Sequence, residues 1–200
     1  MIDQVPTLTQ LLKQLQQVPY LASKNLYRVV QHFLDMDQAK AEQFCTALMQ
    51  AKTNIKKCEK CFVWKEIKNP CTFCSNTKRN QKIVCVTETW QDFIAIEKTG
   101  GYQGVYHILG GAISPLDGIS PEDLTIAHLI KRIDDDVIDE LILAMNQTPE
   151  GEATSAYIAN KLKNRQIKIS CLARGIPVGS TLESMDRITI YKALSERRIF

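Results

Sequence analysis

Hydrophobic residues in the first fifty positions recur with the spacing of amphipathic helices. Residues 7–18 place four leucines on one stripe: Leu8, Leu11, Leu12 and Leu15. Thr7 is the predicted N-cap of this helix, and Pro19 is its predicted end. Apolar positions keep the helical spacing through residues 22–34 and 37–52. The pattern therefore predicts a small N-terminal unit of short helices.

From residue 83 onward, short apolar runs alternate with helical segments. Strands are predicted at residues 83–86, 104–108, 137–144 and 167–171, with helices at 89–98, from 121 to about 132, and at 152–164. Strands that alternate with helices predict a parallel sheet with helices on its faces. A further short strand is predicted at residues 187–190, followed by a helical tail.

Four cysteines in one short segment predict a metal site. Their spacing is Cys58-x₂-Cys61-x₉-Cys71-x₂-Cys74. Each C-x₂-C pair offers two thiolates, and two pairs complete a tetrahedron that suits Zn²⁺ with bonds of about 2.3 Å. Four protein ligands leave no open coordination position, so we expect a structural metal. An iron–sulfur cluster also takes four thiolates, but two separated pairs of this kind favour zinc.

The remaining features of the chain predict a cytoplasmic protein. The N-terminus has no basic region followed by an apolar run, which a signal peptide would need. The apolar run at residues 108–113 is far shorter than the roughly 20 residues of a membrane helix. Disulfides are rare in the cytoplasm, so Cys45, Cys85 and Cys171 are predicted to be buried core thiols.

Basic residues are concentrated in the first part of the chain, although the formal net charge is only +3. Residues 1–82 hold thirteen Lys and Arg against six Asp and Glu, and residues 83–200 hold twelve against sixteen. Four thiolates around one Zn²⁺ add a charge of −2, which leaves the first part positive. This polarity predicts a polyanionic partner, with DNA as the first expectation. A solvated charged face is the alternative.

Seven of these basic residues surround the cysteine pairs: Lys56, Lys57, Lys60, Lys65, Lys68, Lys78 and Arg79. Two interpretations of them stay open. A loop that a metal makes rigid could hold them for contact with phosphates. Alternatively, they compensate the negative charge of the metal site.

Acidic residues follow two of the predicted strands. Glu88 comes after the first strand, and Glu150 and Glu152 come after the third. Residues just past the carboxyl ends of parallel strands gather in one crevice, so these carboxylates could meet there. Carboxylates that lie close together need a cation, a hydrogen-bond donor or raised pKa values.

Four stretches make a family recognisable: the cysteine segment at 58–74, HILGGAISPLDGISPEDL at 107–124, EGEAT at 150–154 and ARGIPVGSTLE at 173–183. A strand that ends in Glu, with a later EGEAT-type turn, resembles the Toprim fold shared by topoisomerases and primases. Nearly the whole chain resembles the bacterial RecR family of recombination mediators.

The resemblance implies an α+β multidomain fold with four parts. These are a helix-hairpin-helix unit at residues 1–53, a four-cysteine zinc finger at 54–79, a Toprim-like α/β domain at 80–177 and a C-terminal segment at 178–200. The last of these is implied to help assemble dimers or ring-like tetramers. The family binds single- and double-stranded DNA without sequence preference, partners with RecO and RecF, and helps load RecA onto strands coated by single-strand-binding protein.

The resemblance also implies that the chain is not an enzyme. Catalytic Toprim enzymes carry an Asp-x-Asp before the EGE to hold Mg²⁺, whereas Asn146 and Thr148 stand at those two places here. Neutral side chains are weak ligands for a hard cation that prefers carboxylates. The acidic cluster, Glu88, Asp92, Glu150 and Glu152, is therefore assigned to a hydrogen-bonded group or a partner-docking surface, with weak Mg²⁺ binding left open.

The predicted hairpin departs from the family pattern. The family places Gly-hydrophobic-Gly there, which lets backbone amides approach a phosphate, but this chain has Tyr20-Leu21-Ala22. Lys24 and Arg28 stand where the family places DNA-contacting residues, on one helix face. We therefore expect side chains to carry any DNA contact. The rival functions are a Mg²⁺-dependent nuclease or primase, and a module that binds only proteins.

Overall fold

The computed structural model describes residues 5–21 and 23–197. The chain divides into two compact units, Met1–Ile55 and Lys56–Phe200.

The first unit contains three helices, α1 (Pro6–Gln16), α2 (Ser23–Leu34) and α3 (Gln38–Asn54). Its small core consists of Leu12 from α1 and Leu26 and Val30 from α2, with four partly buried leucines around them: Leu8, Leu11, Leu15 and Leu21. The leucine stripe of α1 therefore faces α2, as the helical spacing predicts. Helix α3 buries none of its residues within the chain.

One detail of α1 differs from the prediction. Thr7 is not the N-cap, because the helix begins at Pro6 and Val5 occupies the cap position without a side-chain hydrogen bond. Proline suits the first helical position, since its fixed φ is already helical and its missing N–H would have no partner there. Thr7 therefore lies inside the first turn.

The second unit begins with the cysteine segment and continues into an α/β fold. Strands β1 (Ile55–Lys57) and β2 (Trp64–Glu66) form a two-stranded sheet next to the cysteines. The larger sheet has four parallel strands in the order β4-β3-β5-β6, with bounds β3 (Asn80–Thr87), β4 (Gly104–Ile108), β5 (Glu140–Leu143) and β6 (Lys168–Cys171). Helices α4 (Trp90–Glu97), α5 (Ile126–Asp135) and α6 (Pro149–Lys161) connect them. The predicted mixed fold with a parallel sheet is confirmed.

The four-stranded sheet separates two apolar clusters. One contains Val84, Val86 and Leu141 of the strands with Leu129 of α5 and Ile158 of α6. The other contains residues from the sheet, from α4 and from the cysteine segment: Cys58, Cys61, Val63, Cys71, Cys85, Phe93, Tyr106, Ile108 and Ala144. The cysteine segment is thus packed into a core of the α/β fold.

Two predicted elements are wrong. Residues 121–123 form a 3₁₀ turn, and α5 begins only at Ile126, because Leu124 is extended between them. Residues 187–190 are not a strand, since they open helix α7 (Arg187–Ser195). The side chain of Asp186 accepts a hydrogen bond from the backbone N of Thr189 at 2.9 Å. This N-cap starts a helix despite the β-branched residues that suggested a strand.

The prediction of three core thiols holds only for Cys85, which is buried in the sheet. Cys45 and Cys171 are exposed, so the prediction is wrong for both. Cys45 lies on α3, none of whose residues is fully buried, and Cys171 ends the edge strand β6. Within residues 5–21 and 23–197, no helix combines the length and the apolar character that a membrane crossing requires.

Candidate metal centre and nucleic-acid interface

The four cysteines of residues 58–74 converge on one point. Their Sγ atoms all lie within 4.8 Å of one another, and the Sγ atoms of Cys61 and Cys71 are 3.5 Å apart. A tetrahedron with metal–sulfur bonds of about 2.3 Å has sulfur–sulfur edges of about 3.8 Å, so the four thiols can hold a metal ion. In the described part of the chain, no other group of three or more His, Cys, Asp or Glu side chains closes in this way.

Backbone hydrogen bonds shape each cysteine pair into a tight turn. The N–H of Phe62 donates to the carbonyl of Cys58 at 2.9 Å, and the N–H of Ser75 donates to the carbonyl of Cys71 at 3.0 Å. Phe62 has a φ of 62°, in the left-handed region that bulky residues rarely adopt. The Phe62 ring compensates for this conformation by packing edge-on against His107 and His128, with ring centroids 5.3 and 5.1 Å away.

The thiols influence one another because they are so close together. Hydrogen bonds from Cys61, Cys71 and Cys74 lower the pKa of the Cys58 thiol, whereas the corresponding bonds raise the pKa of Cys61. The protonation of each thiol therefore depends on that of its neighbours. Thiolates are the form that binds metal, and a cation at the centre would replace those protons.

The first cysteine turn is fixed to the α/β fold by three kinds of contact. The N–H of Ile108 on β4 donates to the carbonyl of Cys61 at 3.0 Å, and Lys60 forms an ion pair of 2.7 Å with Asp136. The ring of His107 packs edge-on against the Phe62 ring and is itself fully buried. Burial, and then the charge of Arg132, lowers the pKa of His107 to about 3. The imidazole is therefore neutral at physiological pH.

Most of the basic residues around the cysteines have partners inside the unit. Lys56 forms an ion pair with Glu59, and Lys60 forms one with Asp136. Lys65 donates to three backbone carbonyls, and Lys57 lies over the Trp64 ring. Arg79 forms an ion pair with Glu97 and donates to the carbonyl of Gly104. Among the described residues, the ammonium groups of Lys68 and Lys78 have no such partner. Charge compensation and local structure thus account for most of this set.

The carboxyl ends of β3 and β5 bring Glu88 and Asn146 together. The buried Glu88 carboxylate accepts a hydrogen bond from the backbone N of Asn146 at 2.7 Å and from its Nδ2 at 2.8 Å. Gly151 lies against both residues: a Cβ atom there would come within 2.2 Å of the Asn146 carbonyl oxygen and 2.8 Å of Glu88 Oε1. Both carboxylate oxygens therefore have a donor, and the site leaves no room for a side chain at position 151.

The other acidic residues of the predicted cluster have different surroundings. Asp92 accepts from the N and Oγ1 of Thr89 and completes the capping box of α4, whose N-cap is Thr89. Glu152 accepts from Lys192 of α7 at 2.8 Å and lies 3.4 Å from Arg174, and the hydrogen bond from Lys192 lowers the pKa of Glu152. Glu150 lies partly buried in the first turn of α6. The carboxylates of Glu88, Asp92 and Glu152 are thus each held by separate donors.

Three residues here were missed by sequence reasoning. Gly151 lies between the two glutamates of EGEAT. Its place just after a strand of the parallel sheet could have indicated close packing, because residues that follow neighbouring parallel strands come close together. Lys192 and Arg174 link α7 and the segment after β6 to Glu152. No sequence pattern pointed to these ion pairs, because the partners are 22 and 40 residues apart.

The turn between α1 and α2 carries a second unusual backbone conformation. The N–H of Leu21 donates to the carbonyl of Val18 at 3.3 Å, so Pro19 and Tyr20 occupy the centre of a β-turn. Tyr20 has a φ of 65°. A proline followed by a residue with positive φ is typical of a type II turn, which favours Gly or Asn at the second position. Ala22, the last residue of the predicted hairpin, lies outside the described residues.

Lys24 and Arg28 project from the exposed side of α2, whereas Leu26 and Val30 face the core. Neither cation forms an ion pair with any residue in the described ranges. Residues 5–34 contain three basic residues and no acidic one. The exposed side of α2 is therefore positively charged, and no acidic residue within 5–34 compensates it.

Comparisons with known proteins agree with this architecture. Residues 82–173 match the Toprim domain family, and residues 175–198 match the family described as RecR, C-terminal. The chain is also similar to a protein named Recombination protein RecR from Syntrophobacter fumaroxidans. The two sequences are 37% identical over 195 residues, which cover 98% of this chain and 96% of that protein.

Proposed function

The chain belongs to the RecR family of recombination proteins, and from that premise we propose that it is a non-catalytic DNA-binding mediator of recombination in DNA repair. The observation that carries this proposal is the uncompensated pair Lys24 and Arg28 on α2. An exposed pair of cations without acidic neighbours is suited to neutralising phosphates. Contacts of this kind bind DNA without reading its sequence.

A zinc ion at Cys58, Cys61, Cys71 and Cys74 is part of this proposal. Four thiolates in a closed tetrahedron favour Zn²⁺ and leave no position for a substrate or a reactive water. Bound there, the ion would supply structural stability to a segment that has little core of its own. We assign residues 54–79 to this zinc finger, between a helix-hairpin-helix unit at 1–53 and a Toprim-like domain at 80–177.

The absence of catalysis is supported by the surroundings of Glu88. A Mg²⁺ ion bound by this carboxylate would have to displace the two hydrogen bonds from Asn146. Asn146 and Thr148 provide no charge in return, and Thr148 already caps α6 by accepting from the N–H of Gly151 at 3.1 Å. Phosphoryl transfer by two metal ions needs several carboxylates around them.

We further propose that the chain acts in the cytoplasm with RecO-type and RecF-type partners to load a RecA-type recombinase onto single-stranded DNA. Residues 178–200 would join subunits into a dimer or a ring. Helix α7 supports this role, because Ile188, Tyr191 and Leu194 are all more than 60% exposed at helical spacing. An apolar helix face of this kind is suited to burial in an assembly.

The salt dependence of DNA binding tests the α2 contact. Binding of a labelled single strand is measured by fluorescence anisotropy over a series of salt concentrations, for the wild type and for Lys24→Ala/Arg28→Ala. Each phosphate contact on a single strand contributes about −0.7 to the slope of log K against log salt. Loss of two contacts should therefore reduce the slope by about 1.4 and weaken binding at low salt.

The control is Lys40→Ala/Lys52→Ala, which removes the same charge from the exposed surface of α3, where Lys40 is paired with Asp37. This variant should retain the wild-type slope. Equal slopes for the wild type and Lys24→Ala/Arg28→Ala would contradict the proposed contact.

A further inference from the structure

Tyr20 has a backbone conformation that its side chain does not favour. Its φ of 65° lies in the left-handed region, which costs an L-residue about 1–2 kcal/mol relative to glycine. Tyr20 follows Pro19 in a turn that the N–H of Leu21 closes on the carbonyl of Val18, and the positive φ makes this a type II turn. Glycine or asparagine would adopt the same turn with less strain.

No contact of the Tyr20 ring with the described residues offsets this conformational cost. The residue is 102% exposed, so the ring is entirely in solvent. Among the described residues, its side chain makes no hydrogen bond and no ring contact. Phe62, the other non-glycine residue with positive φ, packs its ring against two histidines. Tyr20 therefore combines a strained backbone with an unpartnered aromatic ring, a combination that suggests a role outside the fold.

Basic residues accompany this ring. Lys24 lies in the first turn of α2, which begins three residues after Tyr20, and Arg28 lies one turn further on the same face. Tyr27, also on that side of α2, is 57% exposed. An exposed aromatic ring next to cations is the combination that single-strand-binding surfaces use, with the ring for a base and the cations for the phosphates.

We propose that the Tyr20 ring stacks on an unpaired nucleobase while Lys24 and Arg28 neutralise the neighbouring phosphates. This inference rests on the proposed function, because it assigns a strand preference to the same DNA-binding surface. A base inside a duplex is stacked on both faces and cannot reach the ring. A base in a single strand has a free face. The surface therefore prefers single-stranded to duplex DNA.

The departure from the glycine-containing hairpin fits this preference. A glycine at the apex lets a phosphate approach the backbone amides, a contact that a duplex can also make. A tyrosine at the apex keeps the phosphate away from the backbone and presents a ring in its place. At this position the chain therefore offers a contact that requires an accessible base, in place of a backbone contact that both single-stranded and duplex DNA can make.

Two variants separate the ring from the backbone conformation. Tyr20→Phe retains the ring, and Tyr20→Asn removes it while keeping a residue that tolerates the left-handed region. Three labelled probes are compared by fluorescence anisotropy: a thymine 20-mer, a 20-mer of the same length with abasic sites in place of all bases, and a blunt duplex. Thermal unfolding verifies that each variant is folded.

Stacking on one base changes affinity by about 5- to 150-fold. We expect Tyr20→Asn to lose that much affinity for the thymine 20-mer, to bind the abasic strand and the duplex as the wild type does, and to keep the wild-type salt slope. Tyr20→Phe should bind all three probes like the wild type.

Undiminished binding of the thymine 20-mer by Tyr20→Asn would overturn the inference, and so would an equal loss on the abasic strand. The proposed function fails in a different way: a wild-type chain that binds none of the probes, or a salt slope that is indifferent to Lys24→Ala/Arg28→Ala, would contradict DNA binding through α2 itself.

Discussion

The carboxylate of Glu88 receives both nitrogens of Asn146, the backbone N at 2.7 Å and Nδ2 at 2.8 Å. Glu88 directly follows β3 and Asn146 follows β5, so the pair joins the two central strands at their carboxyl ends. In catalytic Toprim enzymes a carboxylate that helps to hold Mg²⁺ stands at the position of Asn146. An amide here supplies a hydrogen bond to the buried charge without any metal.

Replacing this amide by a carboxylate should make the site dependent on a cation. Asn146→Asp removes the Nδ2 donor and puts a second negative charge against buried Glu88, which should lower the free energy of unfolding by about 2–4 kcal/mol at neutral pH. Millimolar Mg²⁺ should restore part of the loss. Urea unfolding with EDTA or with Mg²⁺ measures both effects.

The control for this change is Asn164→Asp, at an exposed position, which should be near neutral under both conditions. A stability of Asn146→Asp equal to that of the wild type in EDTA would mean that the Nδ2 hydrogen bond does not matter.

Gly151 should be intolerant of any side chain. Gly151→Ala puts a methyl group 2.2 Å from the Asn146 carbonyl oxygen, so the backbone after β5 must shift. We expect a loss of about 1–3 kcal/mol in the free energy of unfolding. Gly101→Ala is the matched control, because its nearest neighbour would be Thr99 Oγ1 at 3.6 Å. Similar stabilities of the two variants would refute the close packing at Gly151.

The buried His107 should make stability depend on pH. Burial lowers its pKa to about 3 in the folded chain, whereas an unfolded histidine titrates near about 6.5. Between these values the unfolded chain binds the extra proton, so stability is full above about pH 6.5 and falls toward pH 3 by up to about 1.4 kcal/mol per pH unit. Unfolding free energies of wild type and His107→Gln, measured from pH 7.5 to 4.5, should differ in slope.

The same substitution at an exposed histidine serves as the comparison. His32 lies on the exposed side of α2, and His32→Gln should keep the wild-type slope. A parallel pH dependence of His107→Gln and the wild type would argue against a neutral, buried His107.

Loss of one ligand should remove the metal and destabilise the second unit. Cys61→Ser replaces a fully buried sulfur, so bound zinc should fall from one ion per chain to nearly none, with a loss of more than about 3 kcal/mol in stability. Cys45→Ser, at an exposed cysteine, should retain the full metal content. Metal analysis of both purified variants gives the result, and a fully loaded Cys61→Ser would contradict the four-thiol site.

Local patterns predicted the parts of the molecule that depend on short sequence spacing. Helices α1 to α3 follow from apolar periodicity, β3 to β6 from short apolar runs between turn residues, and the thiol cluster from two C-x₂-C pairs. Each of these patterns lies within about twenty residues, and the tertiary structure does not override it.

Features that depend on distant residues could not be predicted. Ile188, Thr189 and Ile190 are β-branched and suggested a strand, but the cap at Asp186 and the ion pair from Lys192 to Glu152 belong to a helix. Cys45 was expected to be buried because of its apolar neighbours, yet no residue of α3 is fully buried. The positive φ at Tyr20 depends on how the turn is closed between two packed helices.

Loading of a recombinase is the most direct test of a non-catalytic mediator. DNA-dependent ATP hydrolysis by a RecA-type protein is followed on single-stranded DNA coated with single-strand-binding protein, in the presence of a RecO-type partner. Adding the wild-type chain should shorten the lag before hydrolysis and leave the DNA intact, whereas Lys24→Ala/Arg28→Ala should leave the lag long. An unchanged lag with the folded wild-type chain, or DNA cleaved in its presence, would contradict a mediator that works without catalysis.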